Sequence, residues 1–394
     1  MQGIIMPHLD SFACGRLYTP LELMTSMRIA LKHGRIASVE RIVPGVKVDF
    51  DASHLNAAPG FIDLHLQGCG GCDFIDATPQ AVKTIRQKAL QAGCSSFLAT
   101  TTFESGPGAW DHLTRIVESI RSSADASDGA RILGIHLEGP YLNFEKKGGF
   151  GPAYFRSPKR DDFLRVLDIV KDDLKMITIA PELPGADEVI REALDRRIIV
   201  SLGHTKVDYE QAKKEFQKGV NHITHIFNAM DGLHHRNPGL LGAALEDDRV
   251  FVQLIPDGIH VHPAVMKLLY RLKGIERICL ISDATAPCGM PEGTEIQGVG
   301  GRIRMKDGAV RLQDGTLAGS ALLMDEAVRR FHILAGVSLA QTLCMASLTP
   351  AKAIGFDRET GSIREDLSAD FVLFDDDLKI HYVIVRGNIV EIRP

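Results

Sequence analysis

The stretch Gly60-Phe61-Ile62-Asp63-Leu64-His65-Leu66 is a short apolar run, broken by one acid and closing on an imidazole. It is long enough for a buried strand and too short for an ordinary helix. Seven runs of the same kind follow, at 95–101, 131–137, 175–180, 197–202, 221–227, 250–255 and 277–281. Helical patterns separate them. Thr78-Pro79 opens one, with Val82, Ile85 and Ala89 on a single face and Gly93 at its end. Another covers 208–218, with Asp208 and Gln211 at capping-box spacing, Ala212 and Phe216 on one face, and Gly219 as the stop. Eight strands alternating with helices predict parallel pairing through crossovers and closure into a (β/α)8 TIM-type barrel. An open doubly wound sheet is the competing arrangement, but it would carry a Gly-rich phosphate loop after its first strand, and none follows Leu66.

Outside this core both ends read as β structure. Residues 27–31 and 36–39 flank a Lys32-His33-Gly34-Arg35 turn, and 370–374, 380–385 and 389–392 repeat the style near the C-terminus. Neither piece is long enough to bury a core alone. Residues 1–57 and 357–394 are therefore expected to pair into one small β-sandwich-like domain bracketing a barrel at 58–356. The chain has 394 residues, with 45 Lys plus Arg against 50 Asp plus Glu, a net charge of −5 that argues against a nucleic-acid platform. Seven cysteines spread along a long chain do not form a disulfide framework, and a reducing cytoplasm is the expected location. No run approaches the ~18 apolar residues of a membrane span.

In such a barrel the C-terminal ends of the strands form the mouth. Here they carry His65, Glu138, His204, His225 and Asp283. A single strand-end His is commonly structural, but five metal-type or acid/base side chains at one rim point to a divalent cation. The donor set suits Zn²⁺, with a position left open for water. A cation of this kind makes a hydroxide nucleophile available near neutral pH, so hydrolysis is expected, with Asp283 as proton carrier.

The segments around these residues go further. Pro59 to His65 resembles the first-strand motif of the amidohydrolase superfamily, and His136-Leu137-Glu138-Gly139-Pro140-Tyr141-Leu142-Asn143 resembles that of its N-acetylglucosamine-6-phosphate deacetylase branch. Further matches are 202–205, 224–230, 234–239, 257–260 and 317–320, and the resemblance runs from about residue 30 to the C-terminus. It implies a homodimeric deacetylase of an N-acetylated amino-sugar phosphate, with Glu138, His204 and His225 binding one firmly held ion and Asp283 as catalytic base and acid. It further implies substrate contacts from Gly149, Asn228, Ala229, Arg236, His260, Leu317, Ala318 and Gly319, Arg236 reaching the phosphate across the dimer interface. The fourth strand ends Ile179-Ala180-Pro181-Glu182, without the Lys that two-metal relatives carbamylate.

Two departures bear on the chemistry. The first strand reads His65-Leu66-Gln67, a hybrid of the two-metal and one-metal patterns; Gln67 is a poor Zn²⁺ ligand, and His65 would hold at most a weaker second ion. After the Glu-Gly-Pro segment the chain has Lys147-Gly148-Gly149-Phe150 where relatives carry a His, and Phe150 cannot donate to an acyl carbonyl. The substrate expected is N-acetylglucosamine 6-phosphate, the alternatives being N-acetylgalactosamine 6-phosphate, another N-acyl sugar phosphate, or a non-catalytic binder. Cys69 and Cys72 have zinc-type spacing but no second pair, and His222 is expected on the strand face opposite His225, as a packing residue.

Overall fold

A computed structural model describes residues 4–20, 22–43, 45–123 and 128–392. The eight runs become eight parallel strands: Phe61–Leu66, Cys94–Thr101, Arg131–Glu138, Leu174–Ile179, Ile199–Leu202, His222–Ile223, Phe251–Leu254 and Ile278–Leu280. Each pairs with the next in chain order. The ring closes beyond the ends of the first and last strands, where Asp283 N donates to His65 O at 2.9 Å and Gln67 N to Ala284 O at 3.0 Å. The expected barrel forms, with helices in the crossovers.

The helix signals act as read, with one exception. Thr78 caps Pro79–Gln91 by accepting from Ala81 N at 3.2 Å. Gly93 then turns at φ +80°, where a Cβ would lie 2.8 Å from the Phe61 ring. Asp208 caps Tyr209–Lys218 by accepting from Gln211 N at 2.8 Å, but the Gln211 amide donates to Pro181 O instead, so only half of the capping box forms. The sixth strand is shorter than its apolar run. It ends at Ile223, because the chain enters left-handed conformations at His225 (φ +27°) and Phe227 (φ +77°). Strand alternation therefore does not govern the relation of His222 to His225; His222 is buried and stacked on Phe251.

Strands from both ends of the chain form a separate eight-stranded mixed sheet, in which Phe50–Pro59 is flanked by Ser11–Tyr18 and Phe371–Phe374. Alternation divides its faces: Phe371, Leu373 and Ile384 enter a core of the sheet's own, whereas Val372, Phe374 and Val383 join the barrel core. Sequence reading did not identify a four-stranded antiparallel sheet, Glu295–Gly298, Gly301–Lys306, Ala309–Leu312 and Leu317–Ser320, inserted after the eighth barrel strand. The signal was there, in the period-two run Arg302-Ile303-Arg304-Met305-Lys306 before Asp307-Gly308. Among the described residues no helix is long and apolar enough to cross a membrane.

Candidate active site

Glu138 ends the third barrel strand with its carboxylate fully buried among histidines. Its two oxygens face different neighbours. Oε1 lies 3.3 Å from His204 Nε2 and 3.0 Å from His225 Nε2, and those two nitrogens are 3.0 Å apart. Oε2 faces His65 Nε2 at 3.2 Å and Gln67 Nε2 at 2.9 Å. Asp283 completes the group: its Oδ1 is 3.2 Å from His65 Nε2 and 3.2 Å from Gln67 Nε2.

His204 Nδ1 sits 2.7 Å from the Lys146 carbonyl, which can only accept. The proton is therefore on Nδ1, and Nε2 turns a lone pair toward the carboxylate and the second imidazole. His225 is also engaged through Nε2, its Nδ1 being buried without a partner. Three donor atoms separated by 3.0–3.3 Å form a set that could hold one ion with ligand bonds of about 2.0–2.2 Å. Among the described residues Glu138, His204 and His225 are the group of metal-type donors that converges in this way.

The electrostatics agree with that use. Burial opposes ionisation of Glu138, but the histidines around it, the charge of the adjacent His65 foremost, outweigh it and hold the carboxyl well below the usual range. Burial pulls the His225 ring down, favouring the neutral ligand form. Burial also opposes charge on His65, yet Glu138 and Asp283 prevail and push it up to about 10. His65 thus lies behind Glu138 as a bridge between two carboxylates, its Nδ1 3.1 Å from Gln253 Oε1, apart from the converging three.

A polar layer inside the barrel supports this cluster. His136 contacts Thr178 Oγ1 at 2.8 Å, Thr178 contacts Thr224 at 2.7 Å, and Thr224 contacts Ser201 at 2.6 Å. His204, His225 and Asp283 all adopt positive φ, at +48°, +27° and +50°. Left-handed backbone at non-glycine residues is costly and persists where surrounding structure enforces it, often at functional sites.

The cluster floors a cavity of about 260 Å³. Of the residues expected to contact substrate, Gly149, Asn228, Ala229, His260, Leu317, Ala318 and Gly319 line it. His260 is held by Asp257, whose Oδ2 is 2.6 Å from Nδ1, so Nε2 is the free nitrogen. Arg236 does not line the cavity; it is exposed and contacts His235. Phe150 stands edge-on to the His204 ring, centroids 5.2 Å apart, and packs with Leu142 and Tyr154. Sequence reading missed Asp73 and Thr285 in the wall, and the roof formed by Gly298 to Gly300, Ile303 and Thr316 of the inserted sheet. Asp73 lies in the loop after the first strand, which the strand-end rule should have extended to.

The model of the Amidohydrolase family matches residues 56–390. The chain is 35% identical to the N-acetylgalactosamine-6-phosphate deacetylase of Escherichia coli O157:H7 over 376 residues, covering 95% of this chain and 97% of the relative. It is 37% identical to the N-acetylglucosamine-6-phosphate deacetylase of Vibrio furnissii over 332 residues, covering 84% and 82%. The crystal structure of N-acetylglucosamine-6-phosphate deacetylase from Pasteurella multocida superposes with a TM-score of 0.90 at 30% identity, covering 97% of this chain and all of that one.

Proposed function

The chain belongs to the amidohydrolase family, in its branch of amino-sugar phosphate deacetylases, and from that premise we propose that it hydrolyses the acetamide of N-acetylglucosamine 6-phosphate to glucosamine 6-phosphate and acetate. The observation that carries the proposal is the convergence of Glu138 Oε1, His204 Nε2 and His225 Nε2 at 3.0–3.3 Å beneath a cavity that Asp283 also lines.

Glu138, His204 and His225 would hold one divalent ion, Zn²⁺ by donor type. When bound, such an ion polarises the acetyl carbonyl and brings the pKa of water toward ~7. Asp283 takes the proton of the attacking water and delivers it to the departing nitrogen. Gln67 keeps the Asp283 carboxylate aimed, since one amide group reaches both Asp283 and Glu138. Phe150 supplies no hydrogen bond, and its ring keeps water off the flank of His204. Asn228, Ala229, Gly149, His260 and the backbone from Leu317 to Gly319 bind the sugar.

A dianionic phosphate calls for cations, yet no Lys or Arg is among the described residues lining the cavity. Arg236 supplies that charge to the site of a second copy in a cytoplasmic homodimer. A second reading, deacetylation of N-acetylgalactosamine 6-phosphate, is favoured by the E. coli relative, which matches nearly end to end.

Metal-free protein titrated with Zn²⁺ and assayed for acetate release tests both readings. Activity is expected to rise with one ion per chain and to require the 6-phosphate, and relative kcat/KM on the two epimers decides between them. Asp283→Asn should abolish turnover with metal content unchanged. Metal-loaded protein that releases no acetate from either sugar phosphate would refute the proposal.

A further inference from the structure

Glu182 follows the fourth barrel strand and has no role in the chemistry above. Its Oε1 accepts from Asn143 Nδ2 at 2.8 Å and from Lys206 N at 2.7 Å, and its Oε2 accepts from the Thr205 hydroxyl. All three donors are neutral.

The donors come from two loops, one after the third strand and one after the fifth, and both loops meet at His204. Asn143 N donates to His204 O at 2.9 Å. Asn143 Oδ1 also caps the short turn Phe144–Lys146, accepting from Glu145 N at 2.9 Å. That turn ends on the Lys146 carbonyl that receives the His204 Nδ1 proton at 2.7 Å. On the other side Thr205 and Lys206 directly follow His204, whose backbone sits at φ +48°. The ring is thus held between two segments, and Glu182 ties one to the other.

We propose that Glu182 is a positioning residue for metal binding: by joining the Asn143–Lys146 loop to Thr205 and Lys206, it keeps the His204 proton on Nδ1 and the Nε2 lone pair aimed at the ion. Partners of this kind, one step removed from the metal, set ligand tautomer and orientation. The proposal rests on the metal reading given above and names the residue that tunes its affinity.

The test is Zn²⁺ affinity by chelator competition, with the visible spectrum of the Co²⁺-loaded protein as a second readout, for Glu182→Gln, Glu182→Ala and Asn143→Ala. Glu182→Gln keeps the shape but presents an amide NH₂ to groups that donate. Each variant is expected to raise the Zn²⁺ dissociation constant by about 10- to 100-fold and to alter the Co²⁺ bands, with the metal-free unfolding midpoint near that of the parent. If Glu182→Ala folds too poorly to measure, the other two still decide. Unchanged affinity and Co²⁺ spectrum in Glu182→Gln and Asn143→Ala would overturn the proposal, even if the midpoint fell, since that pattern marks a brace and nothing more. Absence of stoichiometric metal binding by the unsubstituted protein would overturn the metal reading itself, and is distinguishable because it needs no variant.

Discussion

His222 is fully buried, its two ring nitrogens have no hydrogen-bond partner, and its ring stacks on Phe251 at 5.9 Å. Burial therefore pulls its pKa from 6.5 down to about 3. The sign follows from proton counting. Between pH 6.5 and about 3 the unfolded chain binds a proton at this position and the folded chain does not, so stability falls as pH falls through that window. At roughly 1.4 kcal/mol per pH unit the loss reaches about 2 kcal/mol by pH 5. His222→Phe keeps the stacking and removes the titration, so urea unfolding at pH 7 and pH 5 should show a smaller acid loss than in the parent. Equal losses would mean that His222 is not the group responsible. His222 and His225 differ in their surroundings: one imidazole is buried against the Phe251 ring, the other against a carboxylate and a second imidazole.

At the scale of elements, the inserted four-stranded sheet is the roof of the cavity. It meets the loop after the third strand at one tight point, where Gly151 N donates to Val299 O at 3.2 Å. A Cβ on Gly300 would lie 1.9 Å from Gly149 O, a backbone atom that cannot swing aside. Gly300→Ala must therefore lift the roof away from Gly149. Because the roof sits outside both the barrel and terminal-sheet cores, the cost should fall on function. The expected result is a drop in kcat/KM on the order of tenfold or more, with a small change in unfolding midpoint. Normal kinetics in that variant would place the roof outside the binding site. The loops around His204 belong to the same scale, since one carboxylate reaches across both.

For the whole molecule, the barrel and the terminal sheet are joined at the end of the barrel opposite the site. Arg131, at the start of the third strand, is buried and pairs with Asp370 at 2.9 Å and Glu359 at 2.8 Å. The mouth is left to strained, hydrogen-bonded loops, the usual division of stability and function in a barrel. Supply of the phosphate's cation by Arg236 of a second copy, as proposed above, belongs to the scale of the whole molecule. Arg236→Ala and Asp283→Asn should each be nearly inactive at low substrate concentration. When the two are mixed and allowed to exchange subunits, activity should return, since one hybrid site then combines an intact Asp283 with the partner's intact Arg236. No recovery, with exchange verified by mass, would exclude a shared phosphate site.

The eight strands, the capped helices and the identity of the strand-end donors were legible in the sequence, because apolar periodicity, caps and residue type are local properties. The inserted sheet was equally local but hidden by a strand count that ended at the eighth run. Only tertiary structure decided which donors face one another. That His65 lies behind Glu138 while His204 and His225 lie in front, that Arg236 stands outside the cavity, and that Glu182 joins two loops are all long-range facts. They depend on how the ring closes and on left-handed turns at His204, His225 and Asp283, conformations uncommon for any residue but glycine and held by surrounding contacts.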